Sequence, residues 1–173
     1  KHSIELEEGY GIQLSTNSIK LLNKIGFNEI EKMEKFNPEK IDFYEIEKQK
    51  KISDLNISEY NSEDCKYTTM NRSILVEFLK NRLNEQVIKY EHNIEKIEKK
   101  NDQIYLTFNN NQNFNCDRLI ISDGIFFKCQ SLISNNQIQP TYNNCIAIRG
   151  KIPSAKLSNL NEMNISLFVG PDF

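Results

Sequence analysis

Histidine is almost absent from this chain of 173 residues: only His2 and His92 are present. A Ser/His/Asp arrangement needs an imidazole as general base, so hydrolytic mechanisms of that kind are set aside. The four cysteines, Cys65, Cys116, Cys129 and Cys145, are widely spaced and meet no histidine at a metal-ligand interval. They read as free thiols of a reducing compartment, and the chain is expected to be cytoplasmic. Neither sign of charge prevails, with 22 basic and 24 acidic residues and a formal net charge of -2. That balance gives no global positive field to attract nucleic acid or an anionic bilayer. No apolar run approaches the roughly 20 residues of a membrane-spanning helix, so no integral span is expected. Glycine is sparse too, and Gly9-Tyr10-Gly11 begins a dinucleotide fingerprint that Leu14 fails to complete. Alanine and arginine are also scarce, whereas asparagine, isoleucine and lysine abound, a pattern expected of a nucleotide-composition bias. Runs such as Asn109-Asn110-Asn111 therefore mean little, and each Arg, Gly or Asp in a demanding place means more.

What is present suits an ordinary folded domain. A chain of this length buries roughly 70% of the surface its unfolded form exposes, enough for a core without disulfides or structural metals. Ser15-Thr16-Asn17 are capping types ahead of Ile19, Leu22 and Ile25 at helical spacing, and Gly26 is placed to end that helix. The Glu- and Lys-dense segment from Glu29 to Lys51 reads as a solvated helix and turn, interrupted by Pro38. Ile41 to Ile46 and Lys51 to Ile57 alternate apolar and polar residues about a Lys48-Gln49-Lys50 turn, which predicts an antiparallel hairpin. Tyr67 to Met70 reads as a strand. From Ser73, the residues Leu75, Leu79 and Leu83, with Val76 and Phe78 beside them, predict an amphipathic helix. Val87 to Ile97 and Gln103 to Phe108 read as strands, and an Asn-rich loop to Asn115 follows. Leu119-Ile120-Ile121 has the continuous apolar character of a strand covered on both faces. It ends at Ser122-Asp123-Gly124, before a short helix containing Leu132 and Ile133. Tyr142 to Arg149 and Ile165 to Val169 are further strand candidates. Strands and helices mixed in this way give an α/β or α+β class.

Taken singly, the residues that could carry chemistry have ordinary explanations. Arg72, ahead of the Ser73 to Leu83 helix, is a cation where the helix dipole disfavours one, so its place invites a functional reason. A guanidinium fork there would suit phosphates and hydroxyls. Asp123-Gly124 is a common turn pair, but it follows an apolar strand, and open α/β sheets place ligands beyond the carboxyl ends of their strands. Beside an anionic ligand an aspartate would suffer like-charge repulsion, so Asp123 either accepts from a ligand's hydroxyls or fixes the turn, and Gly124 permits close backbone approach.

Several segments occur together in a familiar order. Gly9 to Asn17 leads into Leu21-Leu22 and Ile25-Gly26; then come Asn71-Arg72-Ser73-Ile74-Leu75 and Asp117 to Gly124. Beyond these lie Tyr142 with Ala147-Ile148-Arg149-Gly150, and Leu167-Phe168-Val169-Gly170-Pro171. In this series the chain resembles the FAD-dependent aromatic monooxygenases, nearest to the salicylate-hydroxylase-like branch and the related ubiquinone-biosynthesis hydroxylases. The resemblance implies a FAD-binding Rossmann-type α/β fold, incomplete here, with part of an inserted antiparallel β-sheet substrate domain. It divides the chain into FAD-binding segments at 1–37 and 67–139, a hairpin region toward the substrate domain at 38–66, and the start of that domain at 140–173. It implies FAD as cofactor, NAD(P)H as co-substrate and a small aromatic substrate. Arg72, Ile94, Asp123 and Gly124 are the implied FAD contacts, Ile94 through a backbone position near the adenine. No catalytic side chain is implied, because the cofactor performs the oxidation.

The chain also departs from the family pattern. Phe127 and Gln130 stand where Ser and Arg are usual after Asp-Gly, which puts reductant binding through that motif in doubt. Ile148 replaces the usual Trp, leaving Arg149 as a packing residue, a salt-bridge partner or a site residue. The glycine fingerprint expected upstream and the Gly-Asp motif expected downstream lie outside these residues. With Lys1 in first place and Phe173 directly after Gly170-Pro171-Asp172, the chain is expected to be an internal fragment. Another flavin-dependent oxidoreductase or epoxidase of the same fold, or a non-catalytic module, would be the alternatives.

Overall fold

The computed structural model describes residues 10–125, 128–134, 140–148, 150, 152–153, 156 and 160–170. They fall into two compact units, one within residues 86–148 and the other within residues 10–85 together with 150–170.

The second of these units is built on two sheets. Strand β1 (Gly11–Leu14) runs into helix α1 (Thr16–Asn23), which Ser15 begins in an extended conformation. Gly26, just beyond α1, has φ +89°, the left-handed geometry in which glycine carries no Cβ penalty. Strand β2 (Lys35–Phe36) follows two short 3-10 turns, so the charged segment after Glu29 is not the expected helix. It pairs there because β5 (Thr68–Asn71) offers an open edge: β5 lies between β1 and β2 and is antiparallel to both. Helix α2 (Arg72–Asn81) continues directly from β5 and is capped by Asn71, whose Oδ1 accepts the Ser73 N–H at 3.1 Å. Leu14, Ile19, Phe27, Met70, Leu75 and Phe78 make the core beneath these elements. The rings of Phe27 and Phe78 meet edge to face at 5.6 Å. The buried face of α2 is thus Leu75 with Phe78, while Leu79 and Leu83 of the expected stripe are exposed.

The other sheet of this unit joins β3 (Lys40–Glu45) and β4 (Lys50–Asn56) as the expected hairpin and adds β9 (Ile165–Val169) parallel to β3, Ile41 opposite Ile165. A polar tie crosses all three strands. The Asp42 side chain, 3% exposed, lies 2.7 Å from Lys51 Nζ on β4. It also accepts the Asn164 amide, just ahead of β9, at 2.7 Å. The Lys51 hydrogen bond, more than any other influence, holds the Asp42 carboxyl below the usual aspartate range.

The unit within residues 86–148 carries an antiparallel sheet of β6 (Ile94–Lys100), β7 (Gln103–Phe108) and β8 (Asn113–Cys116), with helix α3 (Lys128–Ser134) against β6. Asn101 and Asp102 both take positive φ between β6 and β7, as a tight two-residue hairpin turn requires. β8 was not expected. The asparagine run is the turn that precedes it, with Asn111 at φ 62°.

Three other expectations fail in this unit. The strand expected from Val87 starts only at Ile94, because the chain turns at Tyr90–His92, where Glu91 has positive φ and the His92 ring lies against the Tyr90 carbonyl. Tyr142 to Ile148 forms no strand: Asn144 has φ 63° and the Asn143 side chain accepts the Cys145 N–H, a local turn that competes with extended pairing. Leu119-Ile120-Ile121 is neither a strand nor covered on both faces, since Ile120 is 90% exposed and no described strand pairs with it. Apolar character alone does not bury a segment; neighbouring strands must supply its hydrogen bonds. The fold remains mixed α/β with antiparallel sheets, and its one parallel pair among the described residues is β3 with β9.

Candidate functional site

Arg72 is the first residue of α2, and three things define its position. Its backbone N–H donates to the Tyr10 carbonyl at 2.9 Å, which ties the start of α2 to the residue just ahead of β1. The next N–H, of Ser73, is already held by Asn71. The Arg72 side chain is exposed, and its guanidinium meets no hydrogen-bond or ion-pair partner among the described residues. The adjacent donors of the helix end are therefore occupied, and five guanidinium N–H groups are available at the positive end of a helix dipole. An anionic or hydroxyl-rich ligand would relieve that placement.

Ile94, Asp123 and Gly124 fall together in the other unit. Ile94 opens β6 opposite Phe108, half-buried, beside an irregularity in the ladder between Ile94 and Lys96. Asp123 Oδ2 accepts the Cys129 N–H at 2.7 Å and so ties the loop to the start of α3. Gly124 has φ +82°, and a Cβ built on it would meet nothing within 4 Å. The glycine is needed for its backbone conformation, and it leaves an open backbone surface that a ligand could approach. Arg72 belongs to the unit of residues 10–85 and 150–170 and stands there by itself. Gln130 lies on exposed α3 surface, and Ile148 is exposed. Phe127 and Arg149 lie outside the described residues, as do Gly9 and Pro171 of the matched segments.

An unpartnered guanidinium suits phosphate or hydroxyl acceptors, and a backbone free of side chain admits close approach; Arg72 offers the first in its unit and Gly124 the second in the other. The Asp123 carboxylate is already used in holding α3.

Lys35 was overlooked in the sequence, where nothing separates it from its charged neighbours. It is half-buried, with Nζ 3.4 Å from the Phe27 carbonyl and 5.3 Å from the centre of the Phe27 ring. Burial, ahead of its charged neighbours, lowers its pKa. It lines a shallow depression of about 250 Å³ over β1, β5 and β2. No cluster of His, Cys, Asp or Glu among the described residues is arranged to hold a metal, and no described helix is long and apolar enough to cross a membrane.

No protein family matches the sequence, and no curated protein matches it. Solved structures do share its fold. 2,6-Dihydroxypyridine-3-hydroxylase from Arthrobacter nicotinovorans superposes with a TM-score of 0.62 at 11% identity, over 79% of this chain and 32% of that one. p-Nitrophenol 4-monooxygenase PnpA from Pseudomonas putida does so at 0.60 and 9% identity, over 76% of this chain and 34% of that one. HpxO from Klebsiella pneumoniae, in a complex with FAD and uric acid, gives 0.58 at 14% identity, over 67% of this chain and 30% of that one. The chain spans about a third of the length of each. At these identities the likeness is one of fold.

Proposed function

We propose that this chain forms part of an FAD-dependent monooxygenase that uses NAD(P)H and O2 to hydroxylate a small aromatic substrate. The observation that carries the reading is the Arg72 guanidinium, exposed and unpartnered at the N-terminus of α2, where a cation has no structural reason to be. The fold it shares with hydroxylases and monooxygenases, one of them bound to FAD, supports the same reading.

In this reading Arg72 donates to the phosphates or ribityl hydroxyls of FAD, Gly124 admits the cofactor against bare backbone, and the Ile94 backbone lies near the adenine. Asp123 fixes the loop that presents Gly124 by holding the Cys129 N–H. Residues 1–37 and 67–139 belong to the FAD-binding part, while 38–66 and 140–173 contribute to the substrate sheet, in which β9 pairs with the β3–β4 hairpin. When bound, FAD supplies hydride acceptance and oxygen activation. The chain's own residues bind and orient it and exclude water, which is consistent with a sequence that shows no acid, base or nucleophile constellation.

The test is made on the intact protein that carries this chain. It should purify yellow, an aromatic substrate should accelerate its NAD(P)H oxidation, and Arg72→Ala should weaken FAD binding at least about tenfold, the scale of one charge-assisted hydrogen bond. A colourless preparation, or an Arg72→Ala variant with FAD affinity unchanged, would overturn the reading and leave a non-catalytic module.

A further inference from the structure

β8 forms one edge of its three-stranded sheet and β6 the other. The two edges differ in charge. β6 carries Glu95, Lys96, Glu98, Lys99 and Lys100, the kind of edge that resists pairing with another chain. From Asn109 to Cys116, by contrast, eight consecutive residues include no charge and no proline. β8 itself is Asn113-Phe114-Asn115-Cys116, with Phe114 61% exposed, and no described strand lies beyond it.

The ladder to β7 determines which backbone groups this edge presents. The Phe108 N–H donates to the Gln112 carbonyl at 2.9 Å, and the pairs alternate from there. Leu106 and Phe114 exchange backbone bonds, whereas Thr107 with Asn113 and Tyr105 with Asn115 do not. The N–H and C=O groups of Asn113 and Asn115 therefore point away from β7, to the open side. Phe114 stands between them and carries the apolar row of Ile97, Leu106 and Phe114 to the edge of the sheet. Both asparagine side chains turn back onto their own sheet. Asn113 Oδ1 accepts from the Thr107 hydroxyl at 3.0 Å, and the Asn115 amide donates to Gln103 Oε1 at 3.3 Å.

Asn113-Phe114-Asn115 reads the same in both directions. A second copy laid antiparallel along this edge, with a two-fold axis at Phe114, puts Asn113 opposite the partner's Asn115, so the outward backbone groups of both pair completely. Phe114 meets the partner's Phe114 in a non-hydrogen-bonded pair, where side chains approach most closely and an aromatic pair stabilises the sheet. No like charges face each other. Such self-complementarity is what an isologous interface requires. We propose that β8 is a pairing edge for a second copy of this chain, which joins the two sheets into one of six strands. The pairing is independent of any cofactor.

One short strand makes a small contact at the transient end of specific interfaces, so association is expected between about 10 μM and 1 mM protein. Sedimentation velocity of the intact protein that carries this chain, run over that range, should show the mean mass rising from one copy toward two. Amide exchange over the same range should slow at least about threefold at Asn113 and Asn115 and stay unchanged at Phe114, whose N–H is already held by β7. Phe114→Lys sets two ammonium groups face to face and should keep the protein monomeric; its unfolding midpoint should hold, because the side chain is exposed. Phe114→Leu should still associate. A protein that is monomeric at 1 mM, or association that Phe114→Lys leaves intact, would overturn the proposal. So would exchange that slows with concentration elsewhere but not at the two asparagines. A monomer in which both asparagine amides are protected at every concentration would show that another strand covers the edge, and would overturn it as well.

Discussion

The Asp123 carboxylate and the Cys129 backbone N–H are joined by a 2.7 Å hydrogen bond that closes the Asp-Gly loop onto α3. They lie six positions apart in the chain, so Asp123 caps from outside the helix rather than from its first position. A carboxylate there satisfies one of the free N–H groups at a helix start and complements the positive end of the dipole. This duty accounts for the aspartate whatever ligand the loop meets.

Asp123→Ala should therefore cost about 1 kcal/mol, the usual worth of a helix cap, concentrated in α3. Asp123→Asn should lose less, because its amide oxygen can still accept. Hydrogen exchange at residues 129–131 would register both changes. An Asn variant with normal exchange but weakened FAD binding would show that the negative charge also serves the ligand.

Gly124→Ala separates strain from crowding. Since φ is +82° and the space around the missing Cβ is open, the cost is conformational alone, about 1–2 kcal/mol. Gly124→Asn should cost less, because asparagine tolerates the left-handed region. Urea midpoints of the three proteins give the order Gly, Asn, Ala; an alanine variant as stable as the parent would contradict it.

Local signals were legible in the sequence and long-range ones were not. The β3–β4 hairpin followed from alternation about a polar turn, the end of α1 from Gly26, and α2 from its periodicity after Asn71. What failed depended on partners distant in the chain. β8 carries Asn113-Phe114-Asn115-Cys116, a pattern too polar to stand out, and it exists because β7 offers an edge. Leu119-Ile120-Ile121 has the composition of a buried strand but no described strand to pair with. At the candidate site, Arg72 could be singled out from its conflict with the helix dipole. Lys35 could not, because its burial depends on Phe27, eight residues away, and on the pairing of β2 with β5.

Phe27 is the most deeply buried residue of the Leu14, Ile19, Phe27, Met70, Leu75 and Phe78 core. It is 2% exposed, packs edge to face on Phe78, and has its carbonyl and ring against Lys35. Phe27→Ala should destabilise by about 3–5 kcal/mol through lost burial and the cavity left behind. Phe27→Leu should cost less, since much of the volume is retained. Thermal unfolding distinguishes them, and the alanine variant should also loosen α1 and α2 in hydrogen exchange.

Asp42 is the buried contributor to the acid sensitivity of the β4–β3–β9 sheet, beside exposed Asp54, which shares Lys51 and is likewise held below the usual range by it. The Asp42 pKa is lowered in the folded state, chiefly by the Lys51 hydrogen bond and then by Asn164. A carboxyl with a depressed folded pKa contributes stability that is complete above its unfolded value of about 3.9 and is lost as pH falls through the folded one. At neutral pH Asp42→Asn should thus be destabilised by about 1–3 kcal/mol, the scale for leaving buried polar partners poorly satisfied. Below about pH 4 the difference should shrink, because protonation removes the same charge from the parent. Lys51 is partly exposed, so Lys51→Ala should lose less than Asp42→Asn at neutral pH. Urea unfolding of parent and variants from pH 7 to pH 2.5 follows these differences, and a constant gap between parent and Asp42→Asn across that range would refute the assignment of the acid dependence to this carboxylate.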